Sequence, residues 1–338
     1  MKRLFALCLC LTLCGCSWKD AGDLSPVTAC SIARNSSGYQ LTAELAQPSA
    51  DTPIPEAITV SGSAPDLLRA IDEVSTGRDA RFYWSHTQAV LLDESVLTSD
   101  LTALTDTLMN AGEVRGSVRL CAVRSVSAQT FLTQGSSLSG DPVGFSLGDS
   151  IEQAVSQAQT PDMPLYRVFN ALHSDGLDAV LPAVTLQDGQ AVLDGCLLLS
   201  NGKPCGWLNE QQTAVLSLLY GDGESAVFYT GAQRLQLTDS HMTITMRSQT
   251  APVFDLTLTV QADCASNIQA QRAAAALQQE CLRLIQTLQH TGCDAFGFGR
   301  VWQYTDPQGY AARTTDWTQS NAQVSVTVHA LPNAQGGS

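Results

Sequence analysis

The first half of the chain alternates between short apolar runs bounded by turn residues and longer runs with helical periodicity. The short runs predict strands at four places: residues 28–33, 39–45, 79–92 and 119–123. The longer runs place leucine, isoleucine or valine on one face and predict two helices: residues 65–75 and 100–110. Strands separated by helices in this order are typical of an α/β arrangement, so we expect an N-terminal α/β domain over residues 26–133.

The periodicity weakens over residues 134–189, which we treat as a middle region. Residues 134–163 are rich in glycine, serine, aspartate and glutamine, and this composition predicts a loop with one short helix. Apolar side chains at helical spacing over residues 165–172 predict a second short helix with a buried face.

From residue 190 onward the pattern becomes rich in strands. The dipeptide Asn201-Gly202 lies between the apolar runs 191–200 and 205–208, and it is the strongest short signal for a β-hairpin. A helix is expected over residues 210–219. Alternating apolar residues then predict five further strands: 225–229, 233–238, 242–247, 253–261 and 324–328.

One long helix is predicted over residues 266–289, before the last strand. Its apolar stripe consists of Leu277, Cys281, Leu284 and Leu288. We therefore expect residues 190–332 to form an antiparallel sheet packed by one long helix. The chain as a whole is predicted to be an α+β protein, multi-domain and of mixed α/β character.

The first sixteen residues have the pattern of a bacterial lipoprotein signal. Lys2 and Arg3 precede an apolar stretch, which runs into Leu13-Cys-Gly-Cys16. The stretch is about half of the ~20 residues needed to span a bilayer. We expect a signal peptide over residues 1–15, a diacylglycerol lipid on Cys16 and a polar tether over residues 16–25. An ordinary cleaved signal with chance cysteines is the alternative.

The charge balance of the chain limits the classes of partner that it can bind. The formal net charge is −14. Removal of residues 1–15 takes away Lys2 and Arg3 and no acid, which leaves 16 basic and 32 acidic residues and a net charge of −16. Such a surface repels nucleic acid and anionic head groups, so we expect no nucleic-acid partner. Membrane residence is then expected to depend on the lipid and on protein partners.

Seven cysteines follow the expected lipid site, and an odd number cannot all pair. None of them forms a C-x-x-C spacing, and several lie in apolar runs. We interpret most of them as small buried apolar residues. Cys196 and Cys205 flank the predicted hairpin, so a disulfide between them stays open as a possibility.

The motifs that could carry chemistry are weak. Gly144-Phe-Ser-Leu-Gly148 matches the nucleophile elbow of hydrolases, but turn-like residues precede it where a buried strand is required, so we predict a surface loop. Ser200-Asn-Gly-Lys203 is better explained as a β-turn. The five histidines lack metal-binding spacing, and no phosphate-binding glycine loop occurs. We therefore expect no enzyme, no metal and no cofactor other than the lipid.

Several segments resemble one protein family. Trp18 follows the signal, Arg81-Phe-Tyr-Trp-Ser-His86 precedes an apolar run, and Glu113-Val-Arg115 precedes the next strand. The segment from Gly195 to Leu208 contains a turn with lysine. The most specific match is Cys293-Asp-Ala-Phe-Gly-Phe-Gly299 after the long helix, followed by Pro307 and Trp317. Together these segments resemble the C-subunit lipoproteins of spore germinant receptors, the GerC or Ger(x)C family.

The resemblance implies a three-domain, mixed α/β protein without enzymatic activity. Members are expected to be anchored at the outer face of the spore inner membrane. They assemble there with two integral-membrane subunits, of the A and B types, into a receptor that responds to nutrients. The alternative function is a lipid-anchored solute-binding protein of a transporter. Such proteins usually have two doubly wound lobes, which the strand-rich second half does not match.

Candidate site residues follow from the same segments. Gly297 and Gly299 are expected to allow a turn and a close backbone approach, with Phe296 and Phe298 packed on opposite sides. The tryptophans are expected to serve as core or interface anchors: Trp84, Trp207, Trp302 and Trp317. Arg81 and His86 are candidates for a structural or partner role, and strand alternation places Trp84 and His86 on the same face. Cys16 is the one position with an assigned chemistry.

Overall fold

The computed structural model describes residues 24–49, 52–76, 81–112, 114–135, 140–247, 252–314 and 316–331. The signal segment, Cys16, most of the tether, Trp18 and Glu113 lie outside the described residues. The described part folds as two β-sheets with helices packed against them. This mixed architecture confirms the α+β class expected from the sequence.

The larger sheet has nine strands within the described ranges: β1 (Leu24–Asn35), β2 (Gly38–Gln47), β3 (Glu56–Ala64), β4 (Arg81–Tyr83), β5 (Ala89–Leu92), β6 (Arg119–Val123), β7 (Val180–Gln187), β8 (Gln190–Ser200) and β9 (Lys203–Leu208). Their order is β3-β2-β1-β5-β6-β7-β8-β9, and β4 pairs with the start of β1. The central strands β1, β5, β6 and β7 are parallel, and the strands at both margins pair antiparallel.

Helices cover both faces of the larger sheet. Their bounds are α1 (Leu67–Ser75), α2 (Thr102–Ala111), α3 (Ala128–Gln134), α4 (Val143–Ser156) and α5 (Leu165–Leu172). α3 and α4 pack with Leu91 and Val123 on one face, while α1, α2 and α5 pack with Val90 and Leu120 on the other. Because successive strand residues point to opposite buried faces, the central strands are apolar at nearly every position.

The smaller sheet and its helices form the second half of the chain. Its elements are α6 (Glu210–Tyr220), β10 (Ser225–Thr230), β11 (Gln233–Arg247), β12 (Val253–Ala262), α7 (Asn267–Thr291), α8 (Phe298–Thr305), α9 (Pro307–Ala311) and β13 (Asn321–Ala330). The strand order is β10-β11-β12-β13. α7 buries the predicted stripe of Leu277, Cys281, Leu284 and Leu288, which confirms the long helix.

The smaller sheet is mixed, whereas the sequence predicts an antiparallel one. β12 and β13 are parallel, because α7 lies between them as a crossover connection. The prediction that the residues from 190 onward form one sheet is also wrong. The hairpin around Asn201-Gly202 is confirmed, but β8 pairs with β7 and so extends the larger sheet. The domain boundaries at residues 26, 134 and 190 stay predictions.

Two local predictions differ from the structure for identifiable reasons. The one helix predicted within residues 134–163 is present, but it is α4 with 14 residues and is not short, because tertiary packing of its glycines compensates for their low helical propensity. The strand-like run over residues 79–92 is interrupted by a 3₁₀ turn at Trp84–His86. The turn breaks the alternation, so Trp84 is buried and His86 is exposed instead of sharing one face.

Candidate functional site

The Asp294 carboxylate caps a helix at the segment that carries the most specific sequence match. α7 ends at Thr291 and is followed by Gly292, whose left-handed backbone turns the chain, and Asp294 follows in a buried position. One Asp294 carboxylate oxygen accepts a hydrogen bond from the Phe298 amide at 2.8 Å, and the other accepts from the Gly299 amide at 2.7 Å. These amides begin α8 and have no partner within the helix, so the carboxylate satisfies them and complements the helix dipole.

A second carboxylate, that of Asp178, connects this loop to the larger sheet. One Asp178 oxygen accepts from the Asp294 amide and the other from the Asn201 amide, both at 2.8 Å. The Asp178 amide donates to the Asp294 carbonyl at 2.9 Å. The Ser200 hydroxyl donates to the Gly292 carbonyl at 2.9 Å. The loop before β7, the β8–β9 turn and the α7–α8 loop therefore meet at one place, which we call the aspartate junction.

Three glycines allow the backbones to touch at the aspartate junction. A Cβ on Gly299 would lie 2.8 Å from the Gly176 Cα atom, and a Cβ on Gly176 would lie 2.5 Å from the Arg300 nitrogen. The Arg300 amide donates to the Gly176 carbonyl at 2.9 Å across this contact. Gly297 has a φ of +74°, a backbone conformation that residues other than glycine rarely adopt. The expected turn and close backbone approach are both present.

An aromatic cluster lies directly behind the aspartate junction. The Phe298 ring stacks on Trp317 with centroids 4.9 Å apart, and it meets the edge of Phe254 at 5.1 Å. Phe296 is perpendicular to Phe298, with centroids 6.3 Å apart. Phe296 also meets the Tyr220 ring at 5.6 Å, so the two phenylalanines have different further partners, and their packing on opposite sides of the turn stays a prediction.

Burial controls the ionisation of the two junction carboxyls. Loss of hydration raises the pKa of Asp294 to about 7, although the amides of Gly299 and Phe298 favour its charged form. Burial likewise raises the pKa of Asp178, against the amide donors of Asp294 and Asn201. Each carboxyl already binds backbone amides with both oxygens. The two carboxyls therefore hold three loops together at the junction.

A similar arrangement explains the Gly144-Phe-Ser-Leu-Gly148 segment. The buried Glu44 carboxylate accepts from the Val143 amide at 2.9 Å and from the Gly144 amide at 2.7 Å, at the start of α4. The Thr28 hydroxyl donates to the same carboxylate. A Cβ on Gly144 would lie 2.5 Å from the Thr28 carbonyl carbon. The predicted surface loop is thus wrong, since this segment is a packed helix.

The geometry of this segment differs from that of a hydrolase nucleophile. Ser146 lies inside α4, and its hydroxyl donates to the Val143 carbonyl at 3.2 Å within the same helix. A nucleophile elbow requires a serine at a sharp turn between a strand and a helix. The sequence match is therefore explained by glycines that allow the helix to approach β1.

The remaining candidate residues lie in two other places. Arg81 is exposed on β4, Trp84 is buried against Phe82, and the exposed His86 ring lies 5.0 Å from the Tyr83 ring. Trp207 lies on β9 and is 39 % exposed, with the Arg124 guanidinium 4.6 Å above its ring. The structure thus brings Phe296, Gly297, Phe298, Gly299 and Trp317 together and leaves Arg81, Trp84, His86 and Trp207 apart from them.

Sequence reasoning missed Asp178, Gly176 and Glu44. Each is a single residue far in sequence from its partners, and no local pattern marks it. Asp294 lies within the Cys293–Gly299 motif, but its capping role could not be predicted, because it stands three residues before Gly297, which occupies the N-cap position where such a residue is expected.

The seven cysteines of the described residues are thiols, and Cys196 does not face Cys205. The hairpin register places Cys196 opposite Leu208, so the open possibility of a disulfide between the two is not realised. Cys205 instead neighbours Cys293, and interaction with the Cys293 thiol lowers the pKa of Cys205. Within the described ranges no cluster of three potential metal ligands occurs. None of the helices in this part of the chain combines the length and the hydropathy that a bilayer-spanning helix requires.

Comparisons with known proteins agree with this architecture in both halves. Residues 19–186 match the family described as the spore germination protein N-terminal domain. Residues 194–331 match the family described as spore germination B3/GerAC like, C-terminal. Both halves are thus those of a spore germination protein. More narrowly, the chain belongs to the GerAC family and is a GerC-type subunit of a germinant receptor.

Two individual proteins illustrate the similarity. The spore germination protein YndF of Bacillus subtilis (strain 168) is 22 % identical over 298 residues, which cover 80 % of this chain and 72 % of YndF. The crystal structure of the GerBC protein superimposes with a TM-score of 0.58 at 16 % identity, over 90 % of this chain and 97 % of GerBC. At that identity the second comparison shows a shared fold.

Proposed function

We propose that the protein is a non-enzymatic lipoprotein subunit needed for spore germination. In this proposal it assembles with the integral-membrane A- and B-type subunits of a nutrient germinant receptor. A diacylglycerol lipid on Cys16 holds it at the outer face of the spore inner membrane, as the Leu13-Cys-Gly-Cys16 sequence indicates. No other cofactor is part of the proposal.

One observation carries the non-enzymatic part of this proposal. The residues of the most specific motif are all used to join loops and pack rings. Asp294 binds two backbone amides, Gly297 and Gly299 permit close backbone contact, and Phe298 is fully buried. A motif used in this way supports a scaffold for assembly and leaves no group available for a reaction.

The lipid anchor can be tested with two matched cysteine variants. Cys16→Ala removes the proposed lipid site, whereas Cys14→Ala changes a residue that is cleaved away with the signal. We expect Cys16→Ala to leave the membrane fraction and to reduce nutrient germination to the level of a deletion strain. Cys14→Ala should behave as the unmodified chain. If Cys16→Ala stays membrane-bound and fully active, the anchor proposal is wrong.

Assembly requires a separate test. An affinity tag on the C-terminal end of the chain should recover two integral-membrane subunits from detergent-solubilised spore membranes. The same tag on the Cys14→Ala variant should recover them equally. Recovery of the chain without any membrane subunit, under conditions where the chain is intact, would contradict the assembly proposal.

One observation favours the solute-binding alternative and therefore merits a test. A cleft of about 1100 Å³ lies between α4, α6 and the β10–β11 hairpin, and its lining includes Gln153, Ala214 and Tyr229. Calorimetric titration of the solubilised full chain with amino acids, sugars and nucleosides would measure binding there. Micromolar binding that is lost in Tyr229→Ala would support the alternative, and no binding would favour the receptor subunit.

A further inference from the structure

A second, smaller pocket lies at one end of the parallel strands of the larger sheet. Its volume is about 320 Å³, and it opens where the chain enters β5 and β6. Two arginines, three serine or threonine hydroxyls and one acid line it, beside Tyr166: Arg115, Arg119, Ser85, Thr87, Ser117 and Asp162. The pocket therefore carries two positive charges against one negative charge, in a chain with a net charge of −14.

Two donors in this pocket have no hydrogen-bond partner among the described residues. The Thr87 hydroxyl and the Arg119 Nε atom are both buried, and neither forms a hydrogen bond. The Asp162 carboxylate lies 3.5 Å from Arg119 Nε, close enough for ionic attraction but without hydrogen-bond geometry. A buried donor without a partner is costly, so a ligand that accepts from both would be stabilised.

The shape of the donor set indicates the chemistry of that ligand. Arginine side chains with neighbouring hydroxyl groups match the several acceptor oxygens of a phosphate group. Arg115 is exposed at the mouth of the pocket, while Arg119 is four-fifths buried within it. A phosphate can therefore contact the inner arginine and still be attached to a group that remains outside.

The pocket lies at the N-terminal ends of the parallel strands, which is the end of the sheet at which the segment before β1 enters it. β1 is parallel to β5 and begins at Leu24, which pairs with Arg81 of β4 at this same end. Cys16 precedes Leu24 by eight residues, which can span at most about 28 Å. A lipid on Cys16 would thus keep the pocket edge near the bilayer surface.

We propose that this pocket binds the phosphate of an anionic membrane lipid headgroup. The two arginines would attract an anionic headgroup at this point of the surface, although the net negative charge of the protein repels an anionic membrane elsewhere. The assignment of the phosphate to a membrane lipid rests on the proposed anchor at Cys16. Recognition of a phosphate group by Arg115 and Arg119 does not depend on that anchor. The segments that contain Arg81–His86 and Arg115 lead into this pocket, which gives them a role that the aspartate junction does not provide.

The test uses the full chain with Cys16→Ala, so that acyl chains do not contribute to binding. Vesicles of phosphatidylcholine with and without phosphatidylglycerol are mixed with the chain and sedimented. We expect binding to the phosphatidylglycerol vesicles and about a tenfold loss of affinity in Arg115→Gln and in Arg119→Gln. Arg124→Gln is the matched control, because Arg124 follows β6 at the opposite end of the strand and pairs with Asp194.

A second arm separates the two possible sources of phosphate. Inorganic phosphate is titrated into the same chain without vesicles. Binding of phosphate but not of vesicles, with the same dependence on Arg115, would keep the site and assign it to a soluble ligand. The proposal is overturned if the chain binds neither probe, or if Arg115→Gln binds as tightly as Arg124→Gln. Arg115 is exposed, so its variant decides the matter even if Arg119→Gln does not fold.

Failure of this proposal is distinguishable from failure of the proposed function. The Cys14→Ala and Cys16→Ala variants test the anchor without any change in the pocket. Conversely, Arg115→Gln removes a pocket charge and leaves the lipid site unchanged.

Discussion

Two buried carboxylates perform the same task at the residue scale. Glu44 and Asp294 each accept hydrogen bonds from two successive amides at the start of a helix. In both places the second amide belongs to a glycine whose missing side chain lets the helix touch another backbone. In each pair the acidic residue and the glycine therefore act together, because the close approach that glycine permits brings the first amides of the helix within hydrogen-bond distance of the carboxylate.

The first prediction concerns this close approach. Gly299→Ala should lower the free energy of unfolding by about 1–3 kcal/mol, because the new Cβ would meet the Gly176 backbone, which cannot move aside independently. Gly116→Ala is the matched control, since the nearest atoms to its added Cβ are 3.8 Å away. Denaturant unfolding measures both. Equal losses in the two variants would contradict the packing argument.

The second prediction concerns pH. Because the pKa of Asp294 is raised to about 7 in the folded chain, the folded state holds a proton that the unfolded state has lost above about pH 4. The contribution of Asp294 protonation to the free energy of unfolding is fully present below the unfolded-state pKa and is lost as the pH rises through 7. The slope is at most about 1.4 kcal/mol per pH unit. Asp178, whose pKa is also raised, acts in the same direction.

Unfolding of the Asp294→Asn variant between pH 5 and 8.5 measures this contribution. The stability advantage of the unmodified chain over the variant should narrow as the pH rises. Asp100→Asn is the control, because hydrogen bonds from Thr102 lower the pKa of Asp100 and place its titration below this range. A difference between the chain and Asp294→Asn that stays constant with pH would show that Asp294 is ionised throughout.

At the scale of elements, the sequence predicts what depends on local periodicity. The stripe of α7 and the turn at Asn201-Gly202 both follow from neighbouring residues, and both are confirmed. The partner of the β8–β9 hairpin and the direction of β13 depend on distant strands, so no local pattern contains them. The same limit applies to the site, where Asp294 lies in a readable motif and Asp178 does not.

The third prediction belongs to α4. Gly144→Ala should lower the free energy of unfolding by about 1–3 kcal/mol, because its Cβ would meet the Thr28 backbone and displace the helix from Glu44. Ser146→Ala should change it by about 0.5 kcal/mol or less and should leave nutrient germination intact. Loss of germination in a stably folded Ser146→Ala variant would instead support a catalytic serine.

At the scale of the whole molecule, the aspartate junction connects the two sheets. Asp178 precedes the larger sheet at β7, and Asp294 follows the long helix of the smaller sheet. Buried cysteines are distributed across both parts, and burial raises the pKa of Cys121 in β6 and of Cys281 in α7 to about 12. These thiols react only when their surroundings open, so they report on each part separately.

The fourth prediction uses these thiols. In the unmodified chain, pulsed thiol labelling with rising denaturant should modify Cys121 and Cys281 in one shared transition. Asp178→Ala should separate the two transitions, because it removes the acceptor for both Asp294 and Asn201. Asp66→Ala, which removes the cap of α1 and an exposed ion pair with Arg69, should keep them together. Separate transitions in the unmodified chain would show that the junction does not couple the sheets.

The parallel pairing of β13 with β12 has a consequence for the order of events during folding. β12 ends at Ala262 and β13 begins at Asn321, so this edge of the smaller sheet closes only after the intervening chain is available. Pairings between distant segments form slowly, because loop-closure entropy is lost before contacts compensate for it. During synthesis from the N-terminus, the larger sheet would therefore form first. The edge of β12 that pairs with β13 would stay unpaired until residues 321–330 have been made.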